Sequence, residues 1–162
     1  MAEEVFRVSP CPVLNIGPNV APTALEAELQ HILYPVEVAP DYSDAAKYAV
    51  SIAERYGGKL TVMNVREDLP ASANRREDFP IPVVSWIDDH IPRGSGLRSR
   101  VYFETGSGPA AEAILDYTSN AAVDLIVLGI HRMDPIIAAH LPNHDTAYEI
   151  VSRAPCPVLT IR

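Results

Sequence analysis

Cysteine is scarce in this chain, with two among 162 residues, and both lie in the same context, Pro-Cys-Pro-Val-Leu. That context is typical of the start of a buried strand and not of a metal or redox motif. Cys11 and Cys156 are therefore interpreted as structural thiols, and the sequence offers no disulfide framework. A chain of this length buries an apolar core without such a framework, so one main domain is expected.

Long apolar runs and an excess of basic charge are also lacking. No run approaches the roughly 18 apolar residues that cross a bilayer, and Glu3 and Glu4 stand where a signal peptide has basic residues. Acidic residues outnumber basic ones by 21 to 13, for a formal net charge of -8. This charge argues against binding to nucleic acid or to an anionic membrane surface. We expect a cytoplasmic protein that binds neither.

The most informative stretch that is present runs from Val123 to Arg132. Leu125–Leu128 is an unbroken branched apolar run ended by Gly129, which predicts a buried strand that leads into a loop. A strand that is apolar on both faces must be covered on both faces, as in the middle of a parallel sheet. Residues 129–133, just past its carboxyl end, are therefore the first place to look for a ligand.

Four more strands are predicted, at 32–38, 59–65, 97–104 and 157–161. Helices are predicted between them at 83–90, 110–121 and 145–152, and a further helix follows the first strand. The apolar stripe predicted for that helix consists of Ala45, Tyr48, Ala49, Ile52, Ala53 and Tyr56. Strands that alternate with helices predict a Rossmann-like or flavodoxin-like α/β fold, a three-layer sandwich with helices on both faces of a five-stranded parallel sheet.

An internal repeat relates the two ends of the chain. Residues 2–16 and 147–161 are identical at eight of fifteen positions at a constant offset of 145. We interpret residues 1–24 as the remnant of a preceding repeat plus a linker, from a tandem array, and residues 25–162 as the complete domain. Pro12–Ile16 is predicted to add a strand beside the fifth strand, within one chain or by exchange between two. The alternative is a disordered tail.

Three segments together resemble the universal stress protein (UspA) family: Ile-Leu-Tyr-Pro-Val-Glu-Val-Ala-Pro-Asp-Tyr-Ser (32–43), Ala-Val-Asp-Leu-Ile-Val-Leu-Gly-Ile-His (122–131) and Ala-Pro-Cys-Pro-Val-Leu-Thr-Ile-Arg (154–162). The resemblance implies a strand order of 3-2-1-4-5. It also implies a homodimer through the C-terminal strand, formed by Pro157, Val158, Leu159, Thr160 and Ile161. Family members divide into ATP binders and non-binders, so the resemblance makes ATP or AMP the candidate cofactor.

The binders are marked by Gly-x2-Gly-x9-Gly-[Ser/Thr] after the fourth strand, where glycines let backbone amides approach the phosphates. Gly129 matches the first glycine, but Arg132 stands at the second. The closing pair falls on Pro142 and Asn143 or, with two residues inserted, on His144 and Asp145. The resemblance thus implies that ordinary Mg-ATP binding is impaired.

The other half of the nucleotide site is better preserved. Glu37 stands where the family has an aspartate at the end of the first strand, and Val65 matches the valine that contacts the nucleoside. Pro35, in the first strand, completes this part of the candidate site. His131 stands where many family members carry a histidine.

A metal site was also considered at His140 and His144, which are four residues apart, together with His131 and Asp145. Pro142 interrupts that spacing, so surface histidines are expected and no metal is. No Ser, Cys or Lys has a discernible catalytic setting, so we do not expect an enzyme. Two functions remain open: a non-catalytic stress-response protein that dimerises and binds proteins or a small ligand, and an adenine-nucleotide sensor or slow ATPase.

Overall fold

The computed structural model describes residues 9–36, 44–66, 79, 81–130 and 146–162. Within these ranges the strands are β1 (Val13–Asn15), β2 (His31–Val36), β3 (Lys59–Arg66), β4 (Val101–Ser107), β5 (Leu125–Gly129) and β6 (Val158–Ile161). The α-helices are α1 (Asp44–Tyr56), α2 (Ile81–His90), α3 (Ala110–Asn120) and α4 (Thr146–Arg153). Short 3-10 helices lie at Pro22–Leu25 and Gly96–Arg100.

The strands form one six-stranded sheet in the order β1-β6-β5-β2-β3-β4. Strands β2 to β6 pair in parallel, whereas β1 pairs with β6 antiparallel. The prediction of a five-stranded, wholly parallel sheet is therefore wrong in strand number and in the direction of one strand, because the N-terminal segment adds itself to β6. The five parallel strands have the order 3-2-1-4-5 when they are counted from β2.

The strand predicted over Pro12–Ile16 is present as β1, and it pairs within one chain. The division of the chain at residue 24, and its origin in a tandem array, stay predictions.

Strand β5 is covered on both faces, as its unbroken apolar run predicts. Leu125 and Val127 belong to the core between the sheet and helices α1 and α2, while Ile126 and Leu128 belong to the core on the α3 and α4 side. All four side chains are buried. Two separate apolar cores thus lie above and below one sheet, which is the three-layer arrangement predicted.

Helix α1 packs on the sheet through smaller side chains than the predicted stripe contains. Tyr48 and Tyr56 are 41% and 59% exposed, so their assignment to the buried face is wrong. Small residues on the buried face let the helix approach the sheet closely, while the tyrosines keep their hydroxyl groups at the rim. The buried residues of α1 are Ala45, Ala46, Ala49, Val50 and Ala53.

The strand predicted at 97–104 begins later than expected. Gly96–Arg100 is a 3-10 helix, and β4 starts at Val101. The Ser95 hydroxyl accepts a hydrogen bond from the Leu97 amide at 3.1 Å, and Leu97 is buried. A side chain that satisfies a nearby backbone donor favours a turn over a ladder, which explains the difference.

The amino-terminal edge of the sheet is closed by polar contacts around His31, which is 2% exposed. Its Nδ1–H donates to the carbonyl of Ala121 at 3.1 Å, so its Nε2 accepts from the Thr61 hydroxyl at 2.8 Å. The Asp124 carboxylate accepts from the backbone N–H groups of Gln30 and His31, at 3.0 and 2.8 Å. These bonds hold the turn between α3 and β5 against the start of β2.

The buried imidazole predicts a pH dependence of stability. Desolvation lowers the pKa of His31, and nearby Lys59 lowers it further, although the Ala121 carbonyl and Asp124 act in the opposite direction. Because the unfolded chain then binds a proton at a higher pH than the folded one, stability falls as pH drops below the unfolded value of about 6.5. The loss per pH unit is at most about 1.4 kcal/mol and ends at the lowered pKa.

Urea unfolding of the chain between pH 8 and pH 5 measures this contribution. We expect His31→Gln to flatten the fall in unfolding free energy below pH 6.5, whereas His90→Gln, at an exposed position on α2, leaves it unchanged. An unchanged pH profile in His31→Gln would show that His31 is not the group responsible.

Candidate ligand site at the carboxyl edge of the sheet

The carboxyl ends of β2 and β5 form the switch point of the sheet. Chain leaving β2 leads to α1 on one face, and chain leaving β5 leads to α4 on the other. Strand β2 has six Cα partners in β3 but only two in β5, Ile32–Leu125 and Leu33–Ile126. The carboxyl halves of the two central strands therefore lie beyond their paired part, where open α/β sheets bind ligands.

Three of the predicted site residues lie at this edge. Pro35 in β2, Val65 in β3 and Gly129 at the end of β5 are all half-buried and belong to neighbouring strands. Pro35 has no N–H to donate, and it follows the last β2–β5 register pair by two residues. The structure thus places this part of the predicted site on one edge.

The remaining predicted residues, Glu37, His131 and Arg132, lie outside the described residues. The phosphate half of the site beyond Gly129, and Glu37 in the nucleoside half, therefore rest on the sequence alone. Beside it, the N–H of Ile130 donates to the carbonyl of Ile161 at 2.7 Å, so β5 remains tied to β6 where it leaves the sheet.

Asn64 is a further candidate at this edge that the sequence analysis missed. It directly precedes Val65, pairs in register with Val36 and is 4% exposed. On its other side it pairs in register with Thr105 of β4, and its side-chain amide makes no hydrogen bond to a described residue. An unpaired buried amide costs about 1–3 kcal/mol, so this group is suited to a ligand that pairs with it. The sequence signal for this candidate was a single asparagine in a mainly apolar strand.

Two ionisable groups outside the site have raised pKa values. Burial raises the pKa of Glu104 in β4, which is in register with Met63 and lies two strands outward from β2. Burial also raises the pKa of Tyr117; Thr61, whose hydroxyl lies 3.4 Å from that of Tyr117, lowers it, and Glu104 raises it. Through Thr61, which also contacts His31, Tyr117 belongs to the polar contacts of the amino edge and not to the site at the carboxyl edge.

The described residues hold no cluster of three or more His, Cys, Asp or Glu side chains that could bind a metal ion. The histidines considered for metal binding, His131, His140 and His144, lie outside these ranges, as does Asp145. Both cysteines are free thiols, Cys11 exposed and Cys156 buried. Burial raises the pKa of Cys156 to about 12, so its thiol stays protonated and unreactive.

Helices cover both faces of a mainly parallel sheet that has its switch point at β2 and β5, which defines a doubly wound α/β protein, a class whose ligands bind at the carboxyl edge of the sheet. The fold class alone allows many functions. Within it, the model of the Universal stress protein family matches residues 28–162, and the chain belongs to that family.

A curated relative, the universal stress protein encoded in the QAH/OAS sulfhydrylase 3' region of Thermus aquaticus, is 28% identical over 138 residues, which cover 77% of this chain and 96% of the relative. A universal stress protein from Archaeoglobus fulgidus DSM 4304 has a similar structure, with a TM-score of 0.72 at 19% identity. The match covers 99% of this chain and 53% of that one, so this chain spans about half of the length of the Archaeoglobus protein.

A universal stress protein solved in complex with cAMP is also similar, with a TM-score of 0.63 at 17% identity, covering 84% of this chain and 99% of that one. These structural similarities show the fold. Separately, no described helix is long and apolar enough to cross a membrane.

If the buried amide of Asn64 is kept for a ligand, its removal should make the ligand-free chain more stable. Asn64→Leu removes, at nearly constant volume, a polar group that has no partner among the described residues, so we expect the ligand-free chain to gain about 1 kcal/mol of unfolding free energy in urea. The same substitution at Asn15, whose amide makes three hydrogen bonds, is the matched control and should lower stability. A loss of stability in Asn64→Leu would mean that the amide has a partner in the folded chain.

Proposed function

We propose that this chain is a non-catalytic universal stress protein that acts in stress response through dimerisation and the binding of proteins or a small ligand, without ordinary affinity for Mg-ATP. The observation that supports the proposal is the sequence after β5. Gly129 is kept, but Arg132 replaces the second glycine of the phosphate loop, and the closing Gly-[Ser/Thr] pair is absent in both alignments.

The chemistry of phosphate binding explains why these changes matter. A phosphate loop works because glycines lack side chains, so that several backbone N–H groups converge on the same oxygens. An arginine in the loop occupies the space that the backbone needs, although its guanidinium can itself pair with a phosphate. An aspartate at the closing position sets a carboxylate against the phosphates. We infer that the β- and γ-phosphates add little binding energy here.

The alternative function is that of an adenine-nucleotide sensor or slow ATPase. It is favoured by the edge that carries Pro35, Val65 and Gly129, by the buried amide of Asn64, which has no partner among the described residues, and by the similar protein whose structure was solved with cAMP. These features support recognition of the nucleoside rather than of the phosphates. If a nucleotide is the ligand, its affinity should depend weakly on the number of phosphates.

The proposed dimer requires the edge of the sheet that β1 occupies. The predicted interface is the outer edge of the C-terminal strand, and the described chain already pairs β1 with that edge. A dimer through β6 therefore requires that β1 leave it.

Calorimetric titration with ATP and Mg, ADP, AMP, cAMP and adenosine separates the two functions. The first predicts no micromolar binding of ATP with Mg. The second predicts that the adenine ligands bind with similar affinities, because the nucleoside is the shared part. Micromolar binding that strengthens with each added phosphate would contradict the account of the damaged loop, and no binding of any of these ligands would exclude the alternative.

A gain-of-function variant tests the same account from the opposite direction. Arg132→Gly combined with His144→Gly and Asp145→Ser restores the family pattern in the alignment with two inserted residues. We expect this variant to bind ATP with Mg at least tenfold more tightly than the unchanged chain, while its affinity for adenosine stays the same. Arg93→Gly, which removes the same charge in the exposed turn after α2, is the control and should change neither affinity.

A further inference from the structure

The pairing of β1 with β6 is symmetric with respect to the sequence repeat. By the 145-residue offset, Val13, Leu14 and Asn15 are the counterparts of Val158, Leu159 and Thr160. The Cα partners in the sheet are Val13–Thr160, Leu14–Leu159 and Asn15–Val158. If each residue is replaced by its counterpart in the repeat, the same three register pairs are obtained. A local two-fold axis therefore passes between Leu14 and Leu159.

Two-fold symmetry is the mark of an isologous interface, in which two copies present the same surface to each other. Here the two strands have the counterpart sequences Val-Leu-Asn and Val-Leu-Thr, each preceded by Pro-Cys-Pro, but belong to one chain. The place that β1 occupies is therefore the place that β6 of a second molecule would take in an antiparallel pair.

We propose that β1 is an intrachain substitute for the C-terminal strand of a second copy: it occupies the outer edge of β6, the self-recognition edge at which the proposed dimer would form, and keeps two chains apart. This inference rests on the dimerisation part of the proposed function and limits it: the chain stays a monomer while β1 occupies the edge, and it dimerises through β6 only when β1 leaves. It does not depend on nucleotide binding, and its tests leave the titrations above independent.

Asn15 is the described β1 residue that departs from its counterpart, Thr160, and it makes the intrachain pair the stronger one. Its Nδ2 group lies within hydrogen-bond distance of the Val13 and Val158 carbonyl oxygens, at 3.0 and 3.1 Å, and of the Thr160 hydroxyl, at 3.1 Å. The Thr160 hydroxyl in turn donates to the Val13 carbonyl at 3.2 Å. A second copy would bring a threonine to this place, whose single hydroxyl hydrogen cannot replace an amide with two.

The segment that follows β1 also packs against helix α4 of the same chain. A Cβ atom on Gly17 would lie 2.6 Å from the carbonyl oxygen of Val151 in α4, so only glycine allows the backbone to pass there. Two residues later, Nδ2 of Asn19 donates to the carbonyl of Arg153 at 3.1 Å. A strand tethered in this way competes at an effective concentration on the order of millimolar, well above that of a second chain in dilute solution.

The outer edge of β1 does not extend the sheet further. The strand has three residues, and Pro10 and Pro12 precede it. Short strands flanked by prolines are a common protection against edge-to-edge association. The self-recognition edge of β6 is thus covered by a strand that does not itself recruit another.

Asn15→Asp tests the proposal in the full chain. The substitution keeps the shape of the side chain but replaces a donor with a carboxylate that faces two carbonyl oxygens at neutral pH, so β1 should leave β6. We expect sedimentation equilibrium to give the mass of one chain for the unchanged protein and of two chains for Asn15→Asp. Asn19→Asp makes the same change at an exposed hydrogen bond to a carbonyl, and this control should stay monomeric.

Asn15→Thr restores the repeat and provides the conservative variant. Its mass should remain that of one chain at the concentration at which Asn15→Asp is a dimer, because the tether still favours β1. If Asn15→Asp is folded by circular dichroism and remains a monomer, the proposal is wrong. An unchanged chain that is already a dimer paired through β6 would also overturn it.

Cysteine cross-linking identifies the edge directly, whatever other contacts the chains make. In a Cys11→Ser background, Leu159→Cys should form a disulfide between two chains only when Asn15→Asp is also present, because the two-fold axis brings residue 159 of each copy together. Leu14→Cys with Leu159→Cys should instead close within one chain, because these residues are register partners. A disulfide between chains in this double variant would show strand exchange and contradict the intrachain pairing.

Discussion

A parallel sheet that is buried on both faces leaves only its edges for function, and the rest of this structure follows from that constraint. The apolar run of β5 faces the α1 and α2 core with one half of its side chains and the α3 and α4 core with the other. Ligands and partners must therefore approach the carboxyl edge, the amino edge or a lateral edge of the sheet. Each of these edges has a different chemistry in this molecule.

Among the described residues, the amino edge is closed by hydrogen bonds, whereas the central strands separate at the carboxyl edge. At the amino edge, His31 and Asp124 tie the start of β2 to the turn before β5 through hydrogen bonds of 2.8 to 3.1 Å. At the carboxyl edge, β2 and β5 have passed their last register pair, and the buried amide of Asn64 has no described partner. For these reasons the ligand site is proposed at the carboxyl edge. Its phosphate side has lost the glycines of the family pattern, while its nucleoside side keeps Val65.

Much of the fold could be predicted from the sequence, because its strongest signals are local. The run Leu125–Leu128 and its following glycine are sufficient to place β5, and the repeat is sufficient to identify β1 as a strand beside β6. Errors arose where a local pattern had two solutions. In α1, two overlapping faces of the helix are apolar enough to be the buried one. Packing against the sheet decides between them and buries the alanines instead of Tyr48 and Tyr56. At Gly96–Arg100, alternation suggested a strand, but a capping serine produced a turn.

The candidate site was harder to predict than the fold. Pro35, Val65 and Gly129 could be named because they match positions of a family motif, and the structure places them on neighbouring strands. Asn64 could not be recognised from the sequence, because asparagine side chains are mostly exposed to solvent. Its significance depends on burial and on the lack of a described partner, which are both tertiary properties. The symmetry of the β1–β6 register likewise requires the structure, since the repeat does not specify direction.

The central claim is that the chain completes its own sheet, with β1 held on the lateral edge of β6. Hydrogen–deuterium exchange of the intact chain, followed in the peptide that covers Pro12–Ile16, tests it most directly. The account predicts that this peptide exchanges far more slowly than an unstructured peptide of the same sequence, because its amides that face β6 are hydrogen-bonded. Exchange at the unstructured rate would show that β1 does not occupy the edge and would contradict the account.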